Sequence, residues 1–449
     1  YFPPNVAWVA QNVLSDVDMP LIITEGEFKA YQIAKVDTTY AIIGLAGVTS
    51  WSDKSGLPLH RDLMQFAWQR KNSFQDRHRK VYIIFDYDGA EEDGEPNKQV
   101  GMAEAKLAIT LRGLGADVHL CRVGKFAPIK GEKYAIDDHL LAGQALGTVL
   151  STTASVLTGL TDYDNKLYEL RTQYAILNGD IIRIKDAHIY RSWQSAKIDT
   201  AQHQITFTTT NAQGIPKSRD VHALEEYIKW QRACKLEQIN MYPEFQGMPI
   251  TPRGEYNVFK DWAHEPVNGD PKPYLDIIEH FFKDEPSLIE YWHNWVGHVI
   301  QRPWIRHNTC PQFCSILQGV GKSAIPEFIA LAMGVERGQP AAIMGPGELF
   351  ESKNGELEGK VFVVVNEPNS DQNTHQAKFK DLITTPRLMI DRKYGAKFTI
   401  NNYVNYVLTT NKPFVVQMDN GSRREMIYTP TSLDPLDMGQ RVKSLMEWG

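Results

Sequence analysis

Between Pro20 and about Gly143, short apolar runs alternate with amphipathic stretches: PLIITEG, EFKAYQIAKV, YAIIGLAG, KVYIIFDYDG, GMAEAKLAITLRGLG and ADVHLCRV follow one another. Short apolar runs closed by Gly or Asp read as buried strands, and longer stretches with apolar residues every three or four positions read as helices. The order strand, helix, strand, strand, helix, strand predicts an α/β unit with a mainly parallel sheet. In such a sheet, ligands collect beyond the carboxyl ends of the strands.

From about Thr161 to Met241 the runs shorten and alternate, as in AILNGDIIRI and HQITFTTT, and end in the helix-like VHALEEYIKWQRACK. This predicts a small α+β connector. The stretch YLDIIEHFFKDEPSLIEYWHNWVGHVI has apolar residues at helical spacing interrupted at Pro286, which predicts a pair of helices. Strand and helix alternation then resumes to about Thr431. The expected layout is an α/β domain over 1–150, an α+β connector over 151–255, a helical lead-in over 256–300 and a second α/β domain over 301–449.

With 449 residues, 42% hydrophobic and 23% charged, the chain reads as globular and is too long for one ordinary core. No window approaches about eighteen consecutive apolar residues, and YFPPNVAWVAQ lacks the order of a signal peptide, so a cytoplasmic protein without a membrane anchor is expected. The first residue is not Met, and an excised piece of a longer protein is expected. Cys310 and Cys314 have no second pair of ligands at metal spacing nearby and read as buried thiols rather than a zinc knuckle. A formal charge of -6 excludes a protein that coats nucleic acid with its whole surface and leaves room only for local basic patches.

The chemistry is densest after the helical pair. SILQGVGKSAI contains the end of a phosphate-binding loop: Gly319, Val320, Gly321, Lys322 and Ser323 lie between an apolar strand and an apolar helix. In that arrangement backbone N–H groups converge on phosphates, the lysine pairs with the terminal phosphates and the hydroxyl takes Mg²⁺. Ile316 stands where a full loop has its first glycine. Downstream, the strand VFVVV ends at Asn366-Glu367, the place for a metal-side residue and a general base, and Glu367 is the expected base. Asn411 ends the strand-like YVNYVLTTN, where it could orient the attacking water. Arg423 and Arg424 in NGSRREM are candidates for a guanidinium offered to a neighbouring subunit's phosphate.

This ordered set resembles the superfamily 3 helicases of phages, plasmids and large DNA viruses, over roughly Tyr256 to Thr431, with a leading YNVFKDW of the kind phage primase-helicases carry. The resemblance implies an AAA+ P-loop ATPase fold over 301–449, ATP and Mg²⁺ as ligands, and a homo-oligomeric ring, usually a hexamer, with ATP between subunits. It also implies that PRLMIDRKYGAKFTI is a hairpin carrying Arg387, Arg392, Lys393 and Lys397 onto one strand of DNA, with Gly395 at its turn. Two departures stand out. Ile316 replaces a glycine, and Asn366 replaces a common acid.

Near the N-terminus, Glu25 follows one apolar strand, and Asp86 and Asp88 follow another. Three carboxylates at adjacent strand ends repel one another unless a divalent cation neutralises them, and so predict a Mg²⁺ site. With the glycine turn IGLAGV and the closing YAIDDHL, the stretch from Pro20 to Leu141 resembles a TOPRIM domain, the fold of bacterial-type primases, topoisomerases and some nucleases. The resemblance gives Glu25 an acid-base role and gives Asp86 and Asp88 the metal. Lys29 stands where bacterial-type primases usually have another acid, and this puts primer synthesis in doubt.

Together these readings describe an α/β primase-helicase of a phage or mobile element. It would act in the cytoplasm of a bacterial host on single-stranded or forked DNA, with other replication proteins as partners. Two alternatives keep the same motifs. One is an ATP-gated TOPRIM nuclease; the other is an ATP- and DNA-binding scaffold or loader that does not hydrolyse.

Overall fold

The structure is a computed structural model that describes residues 13–53, 56–71, 76–88, 94–129, 131–154, 160–190, 192–210, 216–264, 266–283, 285–336, 338–345, 348–349, 353–366, 381–393, 397–411, 425–430 and 433–448. The chain forms two α/β units. Among the described residues the first comprises 13–71, 76–238 and 250–256, and the second comprises 239–249 and 257–448.

The first unit is built on strands β1 (Leu21–Glu25), β2 (Ala41–Leu45), β3 (Lys80–Ile84), β4 (Asp117–Cys121) and the short β5 (Thr153–Ala154), in the order β2-β1-β3-β4-β5. Neighbours are parallel except β5, which runs against β4. Helix α1 (Glu27–Val36) crosses from β1 to β2, and α2 (Lys98–Gly113) crosses from β3 to β4. Ile22, Ile33, Ile84 and Cys121 share one core cluster between the sheet and its helices. At Gly44 a side chain would meet the Gly26 carbonyl at 2.7 Å, so glycine here lets α1 lie directly on β2. The short helix α3 (Ile136–Leu141) follows the sheet and carries the DDH of YAIDDHL.

Among the described residues the connector, apart from 239–249, belongs to this same compact unit. Its helix α4 (Asp162–Gln173) lies on α2, where Gly113 leaves room for the Thr172 side chain. Arg171 is fully buried and donates to the carbonyls of Leu57 and Pro58, which ties α4 to the long loop after β2. Sequence texture separates 151–255 from 1–150, but burying this guanidinium against backbone carbonyls joins them.

In the second unit the two predicted helices are α5 (Lys272–Phe281) and α6 (Pro286–Gln301). Pro286 opens α6 because a helix's first turn has no use for the missing N–H. The parallel sheet has β6 (Cys310–Cys314), β7 (Ala341–Met344), β8 (Phe362–Asn366), β9 (Asn405–Thr410) and β10 (Glu425–Tyr428), in the order β7-β8-β9-β6-β10. Helix α7 (Ala324–Met333) follows β6, and α8 (Pro435–Trp448) closes the chain. Strands β6, β8 and β9 carry near-continuous buried runs, as expected for a parallel sheet covered on both faces. Phe281, Phe282, Trp292 and Phe313 pack ring against ring between the helical pair and the sheet. All four cysteines are buried, and among the described residues no helix is long and apolar enough to cross a membrane.

Candidate functional site

The order of the second sheet decides what meets at its carboxyl edge. The phosphate-loop strand β6 pairs directly with β9, and β9 pairs with β8, so the ends of three motif-bearing strands lie side by side. The loop leaves β6 at Ser315, whose N–H donates to the Thr410 carbonyl at 3.0 Å, and whose hydroxyl then accepts from Leu317 N–H at 3.1 Å. Gly319 and Gly321 both adopt left-handed backbone, with φ of 74° and 80°. Ile316 does not, and its side chain is 74% exposed. The two positions where this loop demands glycine therefore have it, and the missing first glycine removes nothing the backbone requires.

Val320 is buried and anchors the loop, and its side chain is not presented to a ligand. Lys322 is also buried; its ammonium donates to the Leu317 carbonyl at 3.1 Å and to Asn411 Oδ1. The predicted phosphate lysine and the predicted water-orienting asparagine are thus direct partners. Helix α8 backs the loop: a side chain at Gly321 would meet Met438 Sδ at 2.8 Å, and one at Gly319 would meet Pro435 Cβ at 3.3 Å.

Ser323 begins a chain of hydrogen bonds that runs across the sheet edge. Its Oγ is 3.1 Å from Thr409 Oγ1, Thr409 donates to Asn366 Oδ1 at 2.7 Å, and Asn366 Nδ2 donates to Glu327 Oε1 at 2.7 Å. Register produces the middle link, since Asn366 and Thr409 stand opposite each other on β8 and β9. Ser323, Thr409, Asn366 and Glu327 offer hydroxyl, amide and carboxylate oxygens, the hard donors that suit Mg²⁺, so the residues fit that ion. Thr409 and Glu327 were not singled out from sequence. Both had a signal: Thr409 shares a strand face with Asn411, and Glu327 lies one helical turn beyond Ser323. The predicted base Glu367 and the predicted Arg423 and Arg424 lie outside the described residues.

The N-terminal carboxylates behave differently from expectation. Glu25 ends β1 and Asp86 follows β3, but among the described residues no three His, Cys, Asp or Glu side chains come together in a way that could hold a metal ion. Instead Lys29 Nζ stands 2.8 Å from Asp86 Oδ2, with Lys133 Nζ at 3.8 Å, while Asp88 accepts a hydrogen bond from Asn97, the N-cap of α2. The carboxylates read as a Mg²⁺ site, Glu25, Asp86 and Asp88, thus have a lysine beside Asp86 and an asparagine beside Asp88. Burial pushes the Asp86 carboxyl up, against the lowering pull of Lys29 and Lys133. Burial also lowers Lys29, yet its bond to Asp86 and the nearby Asp137 and Glu25 carboxylates hold it above the ordinary lysine range.

The basic segment forms the expected antiparallel hairpin, β11 (Arg387–Asp391) with β12 (Lys397–Asn401), and Gly395 lies outside the described residues. Its charges are partly spent within the protein. Arg392 is bidentate to Glu358 and lies over the Phe398 ring, and Lys397 is 3.0 Å from Asp391, which Lys353 also reaches at 2.7 Å. Arg387 is exposed, with a long contact from its guanidinium to the Thr399 carbonyl at 3.4 Å, and Lys393 is exposed as well.

Residues 8–145 match the model of a domain of unknown function (DUF3854), and residues 313–424 match that of a family of unknown function (DUF5906). Among solved structures, the chain is similar to the apo structure of the NrS-1 C terminal region at 15% identity, covering 56% of this chain and 66% of that one, with a TM-score of 0.41. Two A form apo structures of the same region match at 16% identity over 56% of this chain and 64% and 67% of theirs, each with a TM-score of 0.40. The chain spans just under two thirds of the length of the first two. No curated protein matches the sequence. The two family matches fall one on each unit, the first over the sheet with the Lys29–Asp86 pair and the second over the sheet with the phosphate loop.

Proposed function

We propose that this chain is the ATP-driven part of a phage or mobile-element primase-helicase, binding Mg²⁺-ATP at the phosphate loop of its second unit and using turnover to move along single-stranded DNA. The observation that carries the reading is the direct contact of Lys322 with Asn411, which joins a phosphate-binding lysine to the polar end of the adjacent strand. In a nucleotide complex Lys322 would exchange its Leu317 and Asn411 acceptors for the terminal phosphate oxygens. Asn411, released from the ammonium, would then hold the attacking water, and Glu367 would take its proton. Ser323 and Asn366 would hold Mg²⁺, which when bound neutralises charge on the β- and γ-phosphates. Arg423 or Arg424 would complete a neighbouring subunit's site in a ring, and Arg387 and Lys393 would face DNA phosphates.

The Lys29–Asp86 pair supports a first unit that serves as a platform rather than a primase or nuclease, because both chemistries need divalent metal where a lysine sits. A second reading, an ATP-binding ring that assembles on DNA without turnover, is favoured by the amide at position 366. Phosphate release from ATP with Mg²⁺, measured with and without single-stranded DNA, separates the two. DNA-stimulated turnover that is lost in Lys322→Ala supports the motor. ATP-dependent assembly with no turnover selects the ring, and wild-type turnover in Lys322→Ala overturns the site assignment.

A further inference from the structure

An asparagine at the end of β8 leaves the cation side of the loop without the negative charge that a carboxylate there would provide, and the hydrogen-bond chain shows where that charge has gone. Thr409 has one hydroxyl hydrogen, and it is directed to Asn366 Oδ1 at 2.7 Å. The 3.1 Å contact with Ser323 must then be made by the serine's hydrogen, so Ser323 donates to Thr409. Asn366 in turn donates through Nδ2 to Glu327 Oε1 at 2.7 Å. The chain has one direction, Ser323 to Thr409 to Asn366 to Glu327, and it ends on a carboxylate, which can only accept. Its consequence at the open end is specific: the Ser323 hydrogen is turned into the protein, and its lone pairs are left facing the loop.

We propose that Glu327 is the positioning residue of the cation site, supplying through Asn366 and Thr409 the negative charge and the hydroxyl orientation that let Ser323 accept a divalent ion alongside nucleotide phosphates. This rests on the phosphate-loop reading above. Glu327 itself touches neither phosphate nor attacking water. It fixes which way the Asn366 amide faces, because a flipped amide would point its oxygen at the carboxylate and its N–H₂ at Thr409. It also polarises each donor in the series toward itself, which raises the electron density on Ser323 Oγ. Outer partners of this kind are known to set metal affinity.

The charge can be moved while Thr409 still donates to residue 366, and that gives the test. In Glu327→Gln the amide can still accept from Asn366, but the charge is gone. In Asn366→Asp two carboxylates would face each other where an amide now donates. In the double variant an aspartate at 366 accepts from Thr409 and from the glutamine amide, which restores the charge and keeps Thr409 a donor while the bond between 366 and 327 reverses. Binding of a fluorescent ATP analogue is measured in EDTA and then with increasing Mg²⁺, and Mn²⁺ occupancy is followed by electron paramagnetic resonance. The expected result is that every variant still binds the analogue in EDTA. Glu327→Gln needs roughly 10- to 100-fold more metal, and the double variant returns toward wild type. Glu327→Gln with wild-type metal dependence, or a double variant no better than Glu327→Gln, overturns the role of Glu327 while leaving the loop assignment standing. A wild-type protein that binds the analogue in neither condition overturns the loop assignment and this inference with it.

Discussion

Lys29 Nζ lies 2.8 Å from Asp86 Oδ2, so the carboxylate best placed to hold a metal in the first unit is already neutralised by a side chain one turn into the neighbouring helix. Replacing Lys29 with Met leaves Asp86, only 7% exposed, with the more distant Lys133 alone. The first unit is expected to lose about 2 to 3 kcal/mol, most of it recovered when Asp86→Asn is added. Burial already holds Asp86 above its ordinary value of 3.8, so folding favours the protonated acid. A raised folded pKa contributes stability below 3.8 and loses it as pH rises through the folded value, so the variant's deficit is smallest in acid and grows above it. Calorimetric scans against pH measure this. The same scans with millimolar Mg²⁺ and no nucleotide are expected to show no shift for the wild-type unit.

The phosphate loop gives opposite expectations for its glycines and for the isoleucine in place of one. Ile316→Gly leaves ATP affinity unchanged, because the position needs no left-handed backbone and its side chain is in solvent. Gly321→Ala combines a φ of 80° with a clash at Met438, and is expected to abolish ATP binding and destabilise the second unit by about 1 to 3 kcal/mol. Titration calorimetry with ATP, together with thermal unfolding, compares the two.

Asn411→Ala removes an acceptor from Lys322 and the proposed holder of the attacking water. Turnover is expected to fall by roughly 10²-fold while ATP affinity stays near wild type, the pattern of a group that acts mainly in the transition state. A steady-state measurement of kcat and KM separates this from a simple loss of binding, which would raise KM alone.

The basic residues of the hairpin give different expectations. Lys393→Ala and Arg387→Ala are each expected to weaken single-stranded DNA binding and to reduce the slope of log affinity against log salt by about 1. Arg392→Ala removes a bidentate bond to Glu358 and the contact with Phe398, and its main effect is expected on stability rather than on the salt slope. Fluorescence anisotropy over a range of salt distinguishes them.

Lys360 is nearly fully buried just before β8, with its ammonium donating to the Gln339 carbonyl at 2.6 Å. Burial pulls its pKa down to about 8, with Glu356 opposing and Lys260 adding to the shift. Between that value and the ordinary 10.5 the unfolded chain binds the extra proton, so stability of the second unit rises as pH increases through this window. The gain is on the order of 3 kcal/mol, and Lys360→Met is expected to flatten it in urea unfolding at pH 7 and pH 10.

Much of the architecture is legible because buried parallel strands announce themselves. VFVVV, YVNYVLTT and PLIITEG are built on apolar runs, and each becomes a strand whose polar end lies at the sheet's carboxyl edge. Pro286 marks a helix boundary by what its ring cannot donate, and Gly319 and Gly321 mark a loop by the backbone angles other residues avoid. These are local effects, written in neighbouring residues.

Strand order, register and charge pairing are not local. By itself the sequence determined the main strands and helices of the α/β parts, a glycine loop at Gly319 and Gly321, and the basic hairpin, because propensity and periodicity act over a few residues. Only the tertiary structure decided that β6 adjoins β9 and so brings Lys322 to Asn411, that Asn366 stands opposite Thr409 and reaches Glu327, and that Lys29 occupies the place read as a metal site. Those contacts join residues far apart in the chain, and whether a carboxylate meets a cation, an amide or a lysine depends on which side chains the packed sheet edge leaves within hydrogen-bond reach.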